Sequence, residues 1–307
     1  YANQSCSNKS SFYPVRPWVW AGALPFRTSA FFDEVLIDIS LIDAHLVFEE
    51  RSILMRIAMR IAKVFKSKKS MAVLAAIISL SLLAASVPSF PGISAASANA
   101  RAATVTKVTL AQNTVNHKTP MYIIDSGKPG PNVMIVGGVH GDETSGPLAA
   151  DEIKNIRVKR GTLLVIPRAN IAAVEKGTRT SSIGDLNRDF PRTKNGKAGS
   201  KTAQSIWDAI KKYEVNYLID LHEGYNYHKI QPSSYGQTLI YYPISGARTV
   251  GQVIIDELNK GIGSPSKHFT LVKYPYEGTL ARATAQHLGV IAFTLETCRK
   301  SAQSIRI

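Results

Sequence analysis

A layered α/β fold, with helices on both faces of one sheet, is predicted by three features of this sequence. Apolar strand-like runs alternate with helical patterns between residues 121 and 296. Several of the runs are continuous Val/Ile/Leu, as in strands buried on both faces. The side chains with chemical potential fall at or just after the ends of such runs, where α/β sheets collect their sites.

The strand-like runs are Met121–Asp125, Asn132–Gly137, Thr162–Pro167, Tyr217–Leu221, Gln237–Tyr242, His268–Tyr274 and Val290–Glu296. Between them lie helical patterns at Gly146–Ile156, Thr202–Tyr213, Thr249–Lys260 and Gly278–Leu288. The second puts Ile206, Ile210 and Tyr213 on one face, and the last stops at Gly289, a helix-ending residue. This order of elements calls for a sheet covered on both sides. Arg168–Pro191 is a long connection with little periodicity, and such loops are often functional. Arg192–Lys201 is rich in Lys and Gly and reads as an exposed loop. No internal repeat is found.

Upstream of this region the composition changes. The sequence opens on Tyr1, and residues 1–54 mix aromatics, Pro and short apolar runs without a period. We assign them no fold and read them as preceding the natural start. Arg56, Lys63, Lys66, Lys68 and Lys69 then lead into the apolar run Met71–Val87 and small residues closing on Ala98-Asn99-Ala100. That is the order of a secretory signal peptide over residues 55–100, starting at Met55 or Met59. The alternative is a retained membrane anchor, but the apolar run falls just short of the about 18 residues a span requires. Residues 101–307 are then the catalytic domain of an exported protein.

The formal net charge is +15. An exported basic protein is drawn to anionic surfaces such as cell-wall polymers. A solvated basic face is the plainer alternative. No nucleic-acid partner is expected, because no recognition motif accompanies the charge. The two cysteines are Cys6 and Cys298, so removal of the first 100 residues leaves no intramolecular disulfide.

Two strings carry the chemistry, GGVHGDE at 137–143 and DLHEG at 220–224. His140 and Glu143 sit three apart where a strand turns into a helix, and His222 follows an apolar run. Imidazole, carboxylate and imidazole on one metal, with a position left for water, is the ligand set of a hydrolytic zinc centre. Each string alone also fits a capped helix with a chance histidine. Asp142 is a candidate helix cap or outer partner of the site, and Asp220 a candidate outer partner of His222.

Glu296 ends the run VIAFTLE, so its carboxylate must face something polar or a cleft. Beside zinc it is a candidate general base. In DLNRDFPR, Asn187 and Arg188 pair an amide with a guanidinium fork, which suits a substrate carboxylate. Arg179 is a candidate for polarising a scissile carbonyl. For both arginines the alternative is a surface salt bridge.

Taken in order, GGVHGDETSG, IPRANIAAVEKGTR, DLNRDFP, DLHEG and FTLET resemble the succinylglutamate desuccinylase/aspartoacylase family and its wider relatives, the carboxypeptidase A-type zinc peptidases. The resemblance spans about Tyr122 to Glu296. It implies a three-layer α/β/α fold with a mixed, mostly parallel sheet. It implies one Zn2+ on His140, Glu143 and His222, with Glu296 as general base and acid. Asn187 and Arg188 would grip the free carboxylate of the substrate. Arg179 would stabilise the oxyanion, although it stands one residue further from Asn187 than in aspartoacylases. Tyr274 or Tyr276 would match the mobile phenol of carboxypeptidases, or be structural. His117, His228, His268 and His287 match no motif and read as structural or surface residues.

The end of the chain, TCRKSAQSIRI, departs from the family pattern, in which further structure often closes over the site. The expectation is a zinc-dependent hydrolase of amide bonds beside a free carboxylate. Its substrate would be a peptide, such as a cell-wall stem peptide, or an N-acyl amino acid. A non-catalytic wall-binding protein on the same fold is the reading from another class.

Overall fold

The computed structural model describes residues 102–112 and 118–307. The segment 1–54, the signal peptide expected at 55–100, Cys6 and His117 lie outside the described residues. Eight strands form one sheet in the order β1-β2-β4-β3-β5-β8-β6-β7. They are β1 (Thr104–Gln112), β2 (Lys118–Asp125), β3 (Asn132–Val136), β4 (Thr162–Ile166), β5 (Tyr217–Gly224), β6 (Thr238–Tyr241), β7 (Thr270–Lys273) and β8 (Ile291–Cys298). The central four, β4-β3-β5-β8, are parallel to one another. The pairs β1/β2, β2/β4 and β6/β8 are antiparallel, and β6/β7 is parallel. The sheet is thus mixed and mostly parallel, as expected.

Six helices accompany it among the described residues: α1 (Ser145–Ile153), α2 (Ile171–Lys176), α3 (Lys201–Lys212), α4 (Ala247–Lys260), α5 (Leu280–Leu288) and α6 (Gln303–Arg306). Alternate residues of each strand serve opposite faces. Val133, Ile135, Leu163, Val165, Ile219 and Leu221 pack with Ile153 of α1 and Ile254 of α4. Met134, Val136, Leu164, Ile166 and Leu218 pack with Ile206 and Ile210 of α3 and Leu280 of α5. Two cores on one sheet are the three layers predicted. Among the described residues no helix is long and apolar enough to cross a membrane.

The helix ends follow local chemistry. Ser200 caps α3 by accepting from the Ala203 N–H, and Thr279 caps α5 by accepting from Arg282 N–H. Gly289 ends α5 with φ of +72°, a conformation that costs glycine little. α1 stops three residues short of its predicted end, in a turn through Asn155 and Ile156.

Three elements differ from expectation. β1 is an edge strand whose side chains from Thr104 to Lys107 are exposed, so it never shows an apolar run. α2 interrupts the connection expected to be irregular over Arg168–Pro191. Its six residues are too few to show a period, yet Asn170 caps one end and Gly177, with φ of +62°, the other. β5 does not stop before His222 but runs through it to Gly224. That extension puts His222 inside the sheet, in register with Glu296 of β8.

Candidate metal centre and its cleft

The GGVHGDE loop leaves the carboxyl end of β3 under tight constraint. Gly138 has φ of +69°, and a Cβ on Gly141 would lie 2.0 Å from the Ala173 backbone of α2. The loop is therefore pressed onto α2, with Gly141 N–H donating to the Thr178 carbonyl at 3.0 Å. This close fit carries His140 and Glu143 into the interior, where both are buried. His222 enters from β5. Strand alternation puts Asp220 and His222 on the face of Leu218, and Glu296 on the matching face of β8.

The three ligand candidates converge, with ligand atoms all within 4.8 Å of one another. His140 Nδ1 lies 2.8 Å from Glu143 Oε1, and His222 Nδ1 lies 2.8 Å from Glu143 Oε2. The outer nitrogens face carboxylates: His140 Nε2 is 3.1 Å from Asp185 Oδ1, and His222 Nε2 is 2.8 Å from Asp220 Oδ2. A hydrogen given to a carboxylate from Nε2 leaves the Nδ1 lone pair for a metal, and fixes the ring plane. The Glu223 N–H also donates to Glu143 Oε2 at 3.0 Å. The donor set and its outer carboxylates fit zinc: two imidazoles and one carboxylate, buried, and facing a cleft.

The charges are strongly interdependent. Burial would raise the Glu143 carboxyl, but the His222 and His140 imidazoles override it and hold the group well below the usual carboxylate range. Burial would lower His222, yet Asp220 and Glu143 on either side raise it well above an ordinary imidazole. Burial first, then the Glu143 and Asp220 charges, push Glu296 up to about 8, against the pull of His222 and Arg179.

A raised carboxyl of this kind makes a pH prediction. In metal-free protein it contributes stability fully present below its ordinary value near 4.5, and this is lost as pH rises through about 8. The Tm of chelator-treated protein should fall between about pH 5 and about pH 8 more steeply in the parent than in Glu296→Gln. Equal slopes in calorimetry would remove the raised carboxyl from the account.

The centre opens into a cleft of about 270 Å³. Arg179, Asn187, Arg188, Tyr274 and Glu296 all line it, so the structure gathers every predicted site residue in one place. Glu296 is half-buried on its wall. Arg179 is bonded to Glu143 at 3.3 Å and to Asp185 at 3.4 Å. Asn187 is anchored by Leu280 N–H donating to its Oδ1 at 3.1 Å. Its Nδ2 lies 3.3 Å from His222 Nε2. When that nitrogen gives its hydrogen to Asp220, the contact joins two donors and leaves the amide hydrogens for another acceptor. Arg188 donates to the Asn187 carbonyl at 2.7 Å and stands 5.2 Å over the Tyr276 ring. Among the described residues Arg188 forms no ion pair. Tyr274 is exposed, and its φ of +65° is a strained value for a bulky side chain.

Two features in and around the cleft were not foreseen. Asp185 stands in the motif that supplied Asn187 and Arg188, and an Asp that opens a turn was the available signal. Its Oδ1 accepts from Asn187 N–H as well as facing His140. Tyr235 bonds Tyr276 through their hydroxyls at 3.2 Å. That bond, and then burial, push the Tyr235 phenol up to about 12. No sequence pattern marks Tyr235. Asp142 does not cap α1; it pairs at 3.0 Å with Arg299, which stands 4.0 Å from Glu143. His228 and His268 bond backbone carbonyls, Ser234 at 2.8 Å and Ile262 at 2.6 Å, which agrees with a structural reading.

With the centre and cleft defined, comparison with known proteins is decisive at the level of family. The succinylglutamate desuccinylase/aspartoacylase catalytic domain matches residues 129–301, more than half of the chain. The chain belongs to this family. The chain is 31% identical over 110 residues to the N-alpha-acetyl-L-2,4-diaminobutyric acid deacetylase of Halomonas elongata. That stretch covers 34% of this chain and 32% of the deacetylase. Two solved structures of Csd4 from Helicobacter pylori share the fold. The mDAP-bound form, a D,L-carboxypeptidase, is 21% identical with a TM-score of 0.50, covering 57% of this chain and 47% of Csd4. The apo form is 19% identical with a TM-score of 0.52, covering 66% and 51%. The chain thus spans about a third of the deacetylase and about half of Csd4.

Proposed function

We propose that this chain is an exported zinc-dependent hydrolase that cleaves an amide bond next to a free carboxylate, acting as a carboxypeptidase on peptides such as cell-wall stem peptides. The observation that carries this reading is the buried His140-Glu143-His222 set with Glu296 in register beside it, facing a cleft lined by Arg188, which has no ion pair among the described residues. When bound by these three ligands, zinc supplies Lewis acidity at the scissile carbonyl and lowers the pKa of water.

The side chains do the rest. Glu296 takes a proton from the attacking water and returns it to the leaving amine. Arg179 keeps guanidinium hydrogens beyond its two carboxylate contacts, and these stabilise the oxyanion. Arg188 and the Asn187 amide hold the terminal carboxylate, and Tyr274 packs at the mouth. Arg188→Ala should raise KM by about 10- to 100-fold with a smaller change in kcat, as for loss of one charged hydrogen-bond pair worth about 1.5–3 kcal/mol. An unchanged KM in steady-state assays would move the carboxylate elsewhere.

A second reading, deacylation of an N-acyl amino acid, is supported by likeness to the Halomonas deacetylase. The preference for peptides rests on the signal-peptide pattern at 55–100 and on the Csd4-like fold. The basic charge adds an affinity for anionic wall polymers to the proposal. The test is a panel of stem peptides and N-acyl amino acids, incubated with zinc-loaded protein and read by mass spectrometry. Loss of one terminal residue, blocked by chelator, is the expected result. Deacylation of the small acids alone would replace the peptidase with the deacylase. No turnover with zinc bound would leave a wall-binding protein.

A further inference from the structure

We infer that the C-terminal segment is a brace that holds the two ligand-bearing segments of the metal centre in place, with Arg306 as its key positioning residue. Arg306 and α6 lie beyond the family match, which ends at residue 301. The inference rests on the metal-centre reading above.

The segment touches both halves of the centre. On the first half, Arg299 Nη2 reaches Asp142 Oδ2 at 3.0 Å and stands 4.0 Å from Glu143 itself. Gln303 Nε2 donates to Thr144 Oγ1 at 3.4 Å. On the second half, Arg299 N–H donates to the Gly224 carbonyl at 2.9 Å, and Arg306 Nη1 pairs with Glu223 Oε1. The segment is itself tied down: Arg306 Nε donates to the Ser301 carbonyl at 3.1 Å, Ser301 Oγ bonds the Tyr227 hydroxyl at 2.9 Å, and Ile307 packs against the core.

Glu223 makes the contact consequential. It follows ligand His222, its carboxylate is almost wholly buried, and its N–H is a hydrogen bond to ligand Glu143. Among the described residues, Arg306 supplies the one hydrogen bond to that carboxylate. Arg299 Nε stands 3.8 Å from Glu223 Oε2, an ion pair without a hydrogen bond, so it balances the charge only in part. A buried carboxylate deprived of its partner does not stay in place; it moves toward water or toward a cation. Here the move would pull the Glu223 N–H from Glu143 and loosen the ligand pair. Arg306 acts through Glu223 and touches no substrate, so its effect belongs on metal affinity.

The experiment measures zinc affinity of the full chain by competition with a chromophoric chelator, with the Tm of the metal-free protein recorded alongside. The variants are Arg306→Ala, Arg306→Lys, Glu223→Gln and Arg306→Ala with Glu223→Gln. Arg306→Ala should weaken zinc binding by about 10-fold, the low end of the range for outer partners of a metal ligand, because it acts one residue removed. Arg306→Lys should recover part of the loss. The double variant should bind nearly as the parent does, because no buried charge remains to be compensated. If Arg306→Ala does not fold, Arg306→Lys replaces it in the cycle and should show a smaller loss that Glu223→Gln relieves. Parent-like affinity in the folded Arg306 variant overturns the brace, even where its Tm falls, since packing alone would do that. Failure of the parent to bind zinc one to one would instead overturn the metal-centre reading.

Discussion

Glu296→Gln should lower kcat by about 10²- to 10⁴-fold while zinc stays bound. The substitution keeps the shape of the side chain and removes its ability to take a proton. Glu296 sits in register with the candidate ligand His222 on the adjacent strand, on the same face of the sheet, and lines the cleft. It would serve twice in one turnover, as base toward water and as acid toward the leaving amine, so one change disables both steps. Metal content, measured by atomic absorption, should remain one zinc per chain, because Glu296 is not among the converging ligands. A kcat within tenfold of the parent would remove Glu296 from the proton path.

His222→Ala should abolish zinc binding and turnover together, and should also cost stability. Asp220 is fully buried, and its Oδ2 is directed at His222 Nε2. Removing the ring leaves that carboxylate without its partner, at about 3–5 kcal/mol for breaking a buried pair. Denaturant unfolding of metal-free protein would show this loss. Adding Asp220→Asn should restore most of the stability and none of the zinc binding. Retained one-to-one zinc binding in His222→Ala would place the metal elsewhere. The contrast with Glu296→Gln separates a ligand from a catalytic group: one variant loses metal and activity, the other activity alone.

The candidate ligand motifs were legible because a metal centre would demand particular side chains at particular backbone turns. Gly138 and Gly141 are in the sequence for a steric reason, the left-handed turn and the 2.0 Å approach of α2. Thr162–Ile166 and Ile291–Leu295 were legible as strands because burial on both faces demands unbroken apolar residues. β1 escaped notice for the opposite reason, as an exposed edge has no such demand. α2 was hidden by its length, although both of its caps were visible.

What the sequence alone determined is the set of groups: two imidazoles, two carboxylates, an amide and two guanidiniums, and a layered sheet to carry them. Local chemistry sufficed, since strand burial, turn glycines and ligand identity are each set within a few residues. The tertiary structure alone decided their relations. It placed His222 opposite Glu296 through strand register, gave Asp185 to His140 across 45 residues, and brought Arg306 to Glu223 across 83. Such pairings follow from how the sheet is ordered and packed, and no local pattern encodes which distant charge a buried carboxylate will meet.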